Sequence, residues 1–171
     1  DRKAARVDLL RQNCKRLGIQ NIVPIVGDAR NPSEWSGVDA GEVPLRDGWP
    51  LFDRILVDAP CSGVGVLRRH PEAKGRKESS VFERHQKLQG EILTALASGL
   101  RPGGVLVYSV CSTETEETET VINRFCETNL GWMREPVTPW LPGTGLSFVT
   151  INGALCTREN GCGMDSFFAV R

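Results

Sequence analysis

The stretch Arg54-Ile-Leu-Val-Asp-Ala-Pro-Cys-Ser-Gly63 decides how this chain folds. Ile55, Leu56 and Val57 predict a short buried strand, and Asp58, Pro60 and Gly63 end it. A second run has the same form: Val105-Leu-Val-Tyr-Ser-Val-Cys-Ser-Thr113, with Cys111 in the place of Cys61. In a parallel sheet, side chains just past the strand ends face the crevice where ligands bind. Neighbouring strands lie roughly 5 Å apart, so Cys61 and Cys111 can share one site, with Asp58 beside them.

Between the two strands, Val81 to Leu100 carries Leu88, Ile92, Leu93, Leu96 and Leu100 at helical spacing. Arg101-Pro-Gly-Gly104 then turns the chain into the strand Val105 to Val110. Thr113-Glu-Thr-Glu116 matches a capping box and predicts a helix opening at Thr113, with Val121, Ile122 and Phe125 inward. Upstream, Arg2 to Leu17 predicts a helix with Val7, Leu10, Cys14 and Leu17 on one stripe, stopped by Gly18. Ile22 to Val26 predicts a strand that Pro24 confines to an edge. Asn31 to Pro50 and Gly63 to Ser80 read as long connections, the second polar and basic. Leu146 to Ile151 and Phe167 to Val170 predict an antiparallel closing pair. This is the order of an α/β domain with a mostly parallel sheet.

At 171 residues and 40% hydrophobic, the chain suffices for one domain with its own core. No apolar run approaches the ~20 residues of a membrane span, and no signal peptide is visible. The 6 cysteines are scattered and form no Cys-x-x-Cys pair. That favours reduced thiols in a cytoplasmic protein over a disulfide framework or a zinc site, Cys156 and Cys162 having no matching partner pair. The formal net charge is zero but unevenly spread. Basic residues crowd Arg2 to Arg16 and again Arg68 to Lys87, and Glu114 to Glu127 is acidic. The first basic group reads as a solvated helix face, the second as a surface for phosphates.

A thiol reacts as its thiolate, and placement decides whether the thiolate forms. Cys111 lies between a strand end and the expected helix N-terminus, whose dipole favours negative charge. Cys61 follows Pro60, which stiffens its turn. Asp28 follows a strand and Asp1 opens the chain just before a helix; acids at successive strand ends commonly hold hydroxyl or amino groups of a nucleotide, although each of these also reads as a turn former or helix cap. His70 can be a partner for Cys61, but reads better as part of the phosphate-binding surface. His85 falls on the polar side of its helix and reads as inert.

Asp58-Ala-Pro-Cys-Ser-Gly63 with Arg68-Arg-His-Pro-Glu72, then Leu106-Val-Tyr-Ser-Val-Cys-Ser-Thr113 and its glutamates, resemble the Sun/Fmu family of RNA cytosine-5 methyltransferases. Asp165-Ser-Phe-Phe-Ala169 resembles that family's Asp-Gly-Phe-Phe ending, and Arg16-Leu-Gly18 with Gly27-Asp-Ala-Arg30 its cofactor region. Bacterial members acting on small-subunit ribosomal RNA are the most similar. The resemblance implies a Rossmann-like fold, S-adenosyl-L-methionine as cofactor, and methyl transfer to carbon 5 of cytosine in ribosomal RNA. It implies that Cys111 attacks carbon 6 and that Cys61 assists removal of the carbon 5 proton and product release. Asp58 would hold the base near N3, beside the cofactor. Asp1 would bind the cofactor ribose and Asp28 lie near the adenine. The base must leave its stack, with the loop from Arg68 on the flanking phosphates.

The chain also departs from that pattern. The family's first two strands, its glycine-rich loop for the methionine part and its N-terminal RNA-binding domain would all precede Asp1. The expectation is therefore a single incomplete catalytic domain, residues 1–171, that binds cofactor weakly. The Arg54 strand would have an open edge through which copies self-associate, or the first ~50 residues would be loosely placed. Three other readings stay open. A DNA cytosine-5 methyltransferase would use Cys61 as nucleophile, but its Glu-Asn-Val motif is missing here. A non-catalytic RNA-binding remnant would keep the fold alone. A thiol-redox enzyme or Cys–His hydrolase would have only His70 as a candidate partner.

Overall fold

The structure, a computed structural model, describes residues 1–35, 45–46, 49–71, 78–158 and 163–171. Its elements are α1 (Ala4–Leu17), the short antiparallel pair β1 (Leu45–Arg46) and β2 (Trp49–Pro50), β3 (Phe52–Asp58), α2 (Ser79–Ala97), β4 (Leu100–Val110), α3 (Glu119–Thr128), β5 (Leu155–Thr157) and β6 (Phe167–Val170). Four strands make the main sheet in the order β3-β4-β6-β5. β3 and β4 run parallel, with Ile55 opposite Leu106 and Val57 opposite Tyr108, and the other two pairings are antiparallel.

Alternation along the strands decides which side chains meet the helices. Val57, Tyr108, Val110, Phe168 and Val170 are buried on the face covered by α2 and α3, with Ile55 and Leu106 packed against them. The helices meet that face with Ile92, Leu93 and Leu96 from α2, and Val121, Ile122 and Phe125 from α3. Both sets follow an i, i+1, i+4 spacing. Each such aliphatic side chain stabilises by about 1.5–3 kcal/mol when fully buried.

Several boundaries differ from the sequence expectation. The long helix runs Ser79–Ala97, and Leu100 already belongs to β4. Arg101 to Gly104 is therefore not a turn before the strand but a bulge within it, since Phe52 pairs with Leu100 while Arg54 pairs with Val105. Gly103 has φ 76°, a left-handed conformation that favours glycine, and the Arg101 guanidinium spans the bulge to Asp53 at 2.7 Å. The helix expected at Thr113 opens at Glu119, after a 3-10 turn over Thr115–Glu117. The capping box does not form, because Ser112 Oγ accepts the Glu114 N–H at 3.2 Å and Thr118 Oγ1 donates to the Glu114 carbonyl. These local bonds compete with a helical start.

The closing antiparallel pair is β5 with β6, not Leu146 to Ile151 with β6. Gly143–Phe148 coils into a 3-10 turn, and Val149 makes only an isolated bridge to Leu155. Ile22 to Val26 stays outside the sheet. Its ladder contacts are with Asp1, whose nitrogen donates to Ile25 O at 3.2 Å and whose carbonyl accepts from Gly27 N at 3.1 Å. A strand forms only against a neighbour, and one residue is too short to be one. The parallel character of the sheet thus rests on β3 and β4. On α1, Val7 and Cys14 are buried, whereas Leu10 and Leu17 of the expected stripe are exposed.

β3 is an edge strand among the described residues, and Leu56 on its outer face is 71% exposed. An open apolar edge is a template for another chain. Sedimentation velocity should therefore show concentration-dependent self-association of this chain, reduced by Leu56→Lys. A monomer at every concentration up to about 100 µM, well above the Kd range of specific dimers, would disprove it.

Candidate active site

The sheet's parallel pair sets the site. Ala59 N donates to Ser109 O at 2.9 Å, so the chain leaves β3 still tied to β4. Gln89 of α2, fully buried, donates to the Pro60 carbonyl at 2.9 Å and fixes the next turn. Gly63, at φ 70°, then admits a 3-10 turn over Val64–Val66. Gly65 N donates to Cys111 O at 3.0 Å, and Ser166 N donates to Gly65 O at 2.9 Å. The loop after β3 is thereby threaded between the end of β4 and the start of β6.

This arrangement brings Cys61 Sγ to 3.1 Å from Cys111 Sγ. Both thiols are half-buried and free. The Cys61 S–H donating to Cys111 is the largest influence on Cys111. Burial opposes it, the Cys111 backbone N–H adds to it, and the charges of Asp58 and Glu117 oppose it. The balance brings Cys111 down to about 7, so near neutral pH it is substantially thiolate. The same hydrogen bond pushes Cys61 up, and burial pushes it further. The opposite shifts are those of two thiols sharing one proton, Cys61 held toward the thiol and Cys111 toward the thiolate. The sequence assigned the thiolate to a helix N-terminus; the late start of α3 replaces that cause with the neighbouring thiol.

A third group completes the site. Glu117 is 0% exposed, and its carboxylate accepts the Ser62 N–H and the Ser62 hydroxyl, each at 2.6 Å. His85 Nδ1 lies 3.6 Å from Glu117 Oε1. His85 is half-buried rather than solvent-facing, its Nδ1 bonded to the Val81 carbonyl at 2.9 Å, and it shares a helix face with Gln89, Ile92 and Leu96 at spacings of three or four. That spacing was the available signal for both His85 and Gln89, polar residues on an apolar stripe. Nothing in the sequence separates Glu117 from Glu114, Glu116 and Glu119.

Asp58 ends β3 opposite Ser109 and is exposed, and its charge reaches Cys111. Asp1 and Asp28 are brought to the ends of adjacent extended segments. Asp1 Oδ1 accepts the Lys3 N–H at 2.8 Å, and Arg6 reaches Oδ2 at 3.3 Å. Asp28 is gripped by Arg30, with Nη2 at 2.7 Å from Oδ2 and Nε at 3.1 Å from Oδ1, which lowers it to about 2. Arg69 of the basic loop pairs with Asp165 at 2.8 Å, and Arg68 binds the Gly163 carbonyl. Lys74, Arg76, Lys77 and Cys162 lie outside the described residues. No group of three His, Cys, Asp or Glu suited to a metal occurs among the described residues, and no described helix is long and apolar enough to cross a membrane. A cavity of about 450 Å³ between α2, β4 and α3 holds neither cysteine of the pair.

The shared proton has a direct measure. Iodoacetamide alkylation of Cys111, followed by peptide mass spectrometry, should show an inflection near pH 7. Cys61→Ala removes the donor that lowers Cys111, so its inflection should rise toward the ordinary thiol value of about 8.5. An inflection that does not move would refute the shared proton.

A family model described as 16S rRNA methyltransferase RsmB/F matches residues 1–158. The chain belongs to this family. It is 41% identical over 139 residues to ribosomal RNA small subunit methyltransferase B of Enterobacter sp. (strain 638), a match covering 81% of this chain and 30% of that protein. It therefore spans about a third of the length of such RsmB/F relatives. Among solved structures, PH0851 superposes with TM-score 0.78 at 28% identity, over 99% of this chain and 35% of that one. NSun6 from Pyrococcus horikoshii, solved with SFG, gives TM-score 0.70 at 25% identity, over 99% of this chain and 39% of that one. The Rossmann-like methyltransferase fold is that of these RsmB/F-type neighbours.

Proposed function

We propose that this chain carries the reacting groups of an S-adenosyl-L-methionine-dependent RNA methyltransferase that modifies carbon 5 of cytosine, in ribosomal RNA, through a covalent Cys111 adduct. The observation that carries this reading is the pair of sulfurs 3.1 Å apart at adjoining strand ends, with Cys111 shifted toward the thiolate and Cys61 away from it. Family membership and the relatives' names support RNA as the substrate.

Cytosine carbon 5 is too weak a nucleophile to take a methyl group unaided. Cys111 Sγ adds to carbon 6, an S–C6 bond forms, and the C5–C6 π pair moves to carbon 5. The cofactor supplies an electrophilic methyl group. Once carbon 5 is methylated, loss of its proton returns the pair to C5–C6 and expels Cys111 as thiolate. Cys61 receives that proton. At rest the Cys111 thiolate holds Cys61 protonated; when that charge is consumed in the S–C6 bond, the hold lapses and Cys61 gives its own proton to solvent, which frees it to take the one from carbon 5. Asp58 stands at the same strand end to orient the base.

Asp1 and Asp28 fit a nucleoside: both are acceptors, suited to ribose hydroxyls and an adenine amine respectively. NSun6 solved with SFG, an S-adenosylmethionine analogue, supports that cofactor class. Adenine must compete with Arg30 for Asp28, which supports weak cofactor binding by this chain. Arg68 and Arg69, already tied near Asp165, would exchange that contact for RNA phosphates.

RNA containing 5-fluorocytosine tests the reading, because fluorine at carbon 5 cannot leave as a proton and the adduct persists. Incubated with the cofactor and the whole methyltransferase carrying this domain, such RNA should give a covalent complex that survives denaturation. Cys111→Ala should abolish it. Loss in Cys61→Ala with retention in Cys111→Ala would instead assign Cys61 as nucleophile.

A further inference from the structure

We propose that Glu117 is a positioning residue that pins the Cys61 turn against Cys111 and, by its charge, limits the sulfur pair to one negative charge. The inference rests on the reading of Cys111 as nucleophile, but its geometry stands on its own. Glu117 is held in a 3-10 turn: its N–H donates to Glu114 O at 3.1 Å, and its own carbonyl accepts the Tyr108 hydroxyl at 2.6 Å. From there both carboxylate oxygens reach across to the residue after Cys61, one on the Ser62 N–H and one on its hydroxyl. Cys61 therefore cannot drift from Cys111 without breaking two charge-assisted bonds.

A fully buried carboxylate is costly to desolvate, and this one has no Arg or Lys in its described ion pairs. A structural clamp alone would work as well with a neutral amide. The charge has a consequence that an amide would not reproduce: it opposes ionisation at both Cys61 and Cys111. Among the described residues, the titratable groups around the pair are Asp58 from β3, Tyr108 from β4, His85 from α2 and Glu117 from the 3-10 turn. Asp58 acts on Cys111 in the same sense as Glu117, and Tyr108 is pushed up by burial and stays a donor. Glu117 is the member of this set that is bonded to the Cys61 turn.

Glu117→Gln separates the clamp from the charge. The glutamine carbonyl can accept the Ser62 N–H while its amide donates to the Ser62 hydroxyl oxygen, so the geometry is kept and the charge is lost. The readout is the pH profile of Cys111 alkylation by iodoacetamide, which needs neither cofactor nor RNA and so fails independently of the methyltransferase reading. Glu117→Gln should move the Cys111 inflection down by about half a pH unit or more. Glu117→Asp keeps the charge but falls short of Ser62, and should move it up toward the Cys61→Ala value. An unchanged or raised inflection in folded Glu117→Gln overturns the proposal. Should that variant lose its near-ultraviolet circular dichroism, Ser62→Ala decides. Removing one of the two bonds should raise the inflection, and no change overturns the proposal.

Discussion

Under the proposed mechanism, Cys61→Ala is expected to leave the whole methyltransferase stalled on its RNA. The Cys111 sulfur can still add to carbon 6, more slowly near neutral pH because loss of its hydrogen-bond donor lowers its thiolate fraction. Release is another matter, because the carbon 5 proton then has no sulfur 3.1 Å from Cys111 to receive it. Loss of a positioned general base typically slows a step by about 10²–10⁴-fold. A denaturing gel should therefore show covalent protein–RNA complex accumulating with ordinary cytosine RNA, while multiple-turnover methylation falls by at least about 100-fold. Methylation at the normal rate with no accumulated complex would exclude Cys61 from release.

Gly65→Ala is expected to break the site from the other side. A Cβ at Gly65 would overlap the Ser166 carbonyl oxygen and lie 2.9 Å from that of Cys111. Both obstacles are backbone atoms adjoining the ends of bonded strands, so no rotamer change relieves them. Either the Val64–Val66 turn withdraws from Cys111 or β6 shifts from β4. Overpacking of this kind costs about 1–3 kcal/mol, and a further lost backbone hydrogen bond adds about 1. Thermal denaturation should show Tm lowered by roughly 4–16 °C for a domain of this size. The Cys111 alkylation inflection should also rise, because the Cys61 turn is continuous with Gly65. A wild-type Tm together with an unshifted inflection would show that the backbone there is slack.

The legible part of the fold was its local part. Ile55 to Val57, Val105 to Val110, Leu88 to Leu96 and Val121 to Phe125 declare their periods, and Gly18 marks a helix end by its own conformation. The Thr113–Glu116 capping box misled, because a motif of four residues does not register that Ser112 and Thr118 bind the same backbone first. Ile22 to Val26 has strand composition but stays outside the sheet, bonded to Asp1 and to the Arg11 side chain rather than to a strand.

The same division holds for the site. The amino-acid sequence by itself determined that Cys61, Cys111 and Asp58 stand at the ends of two strands, since apolar runs and turn residues are read within a few positions. Only the tertiary structure decided that the sulfurs lie 3.1 Å apart, that their thiols are shifted in opposite directions, and that Glu117, with His85 beside it, lies next to them. The physical reason is that these properties depend on the parallel register of β3 on β4 and on burial. Register and burial join residues about 50 positions apart in the chain, a distance that no local pattern spans.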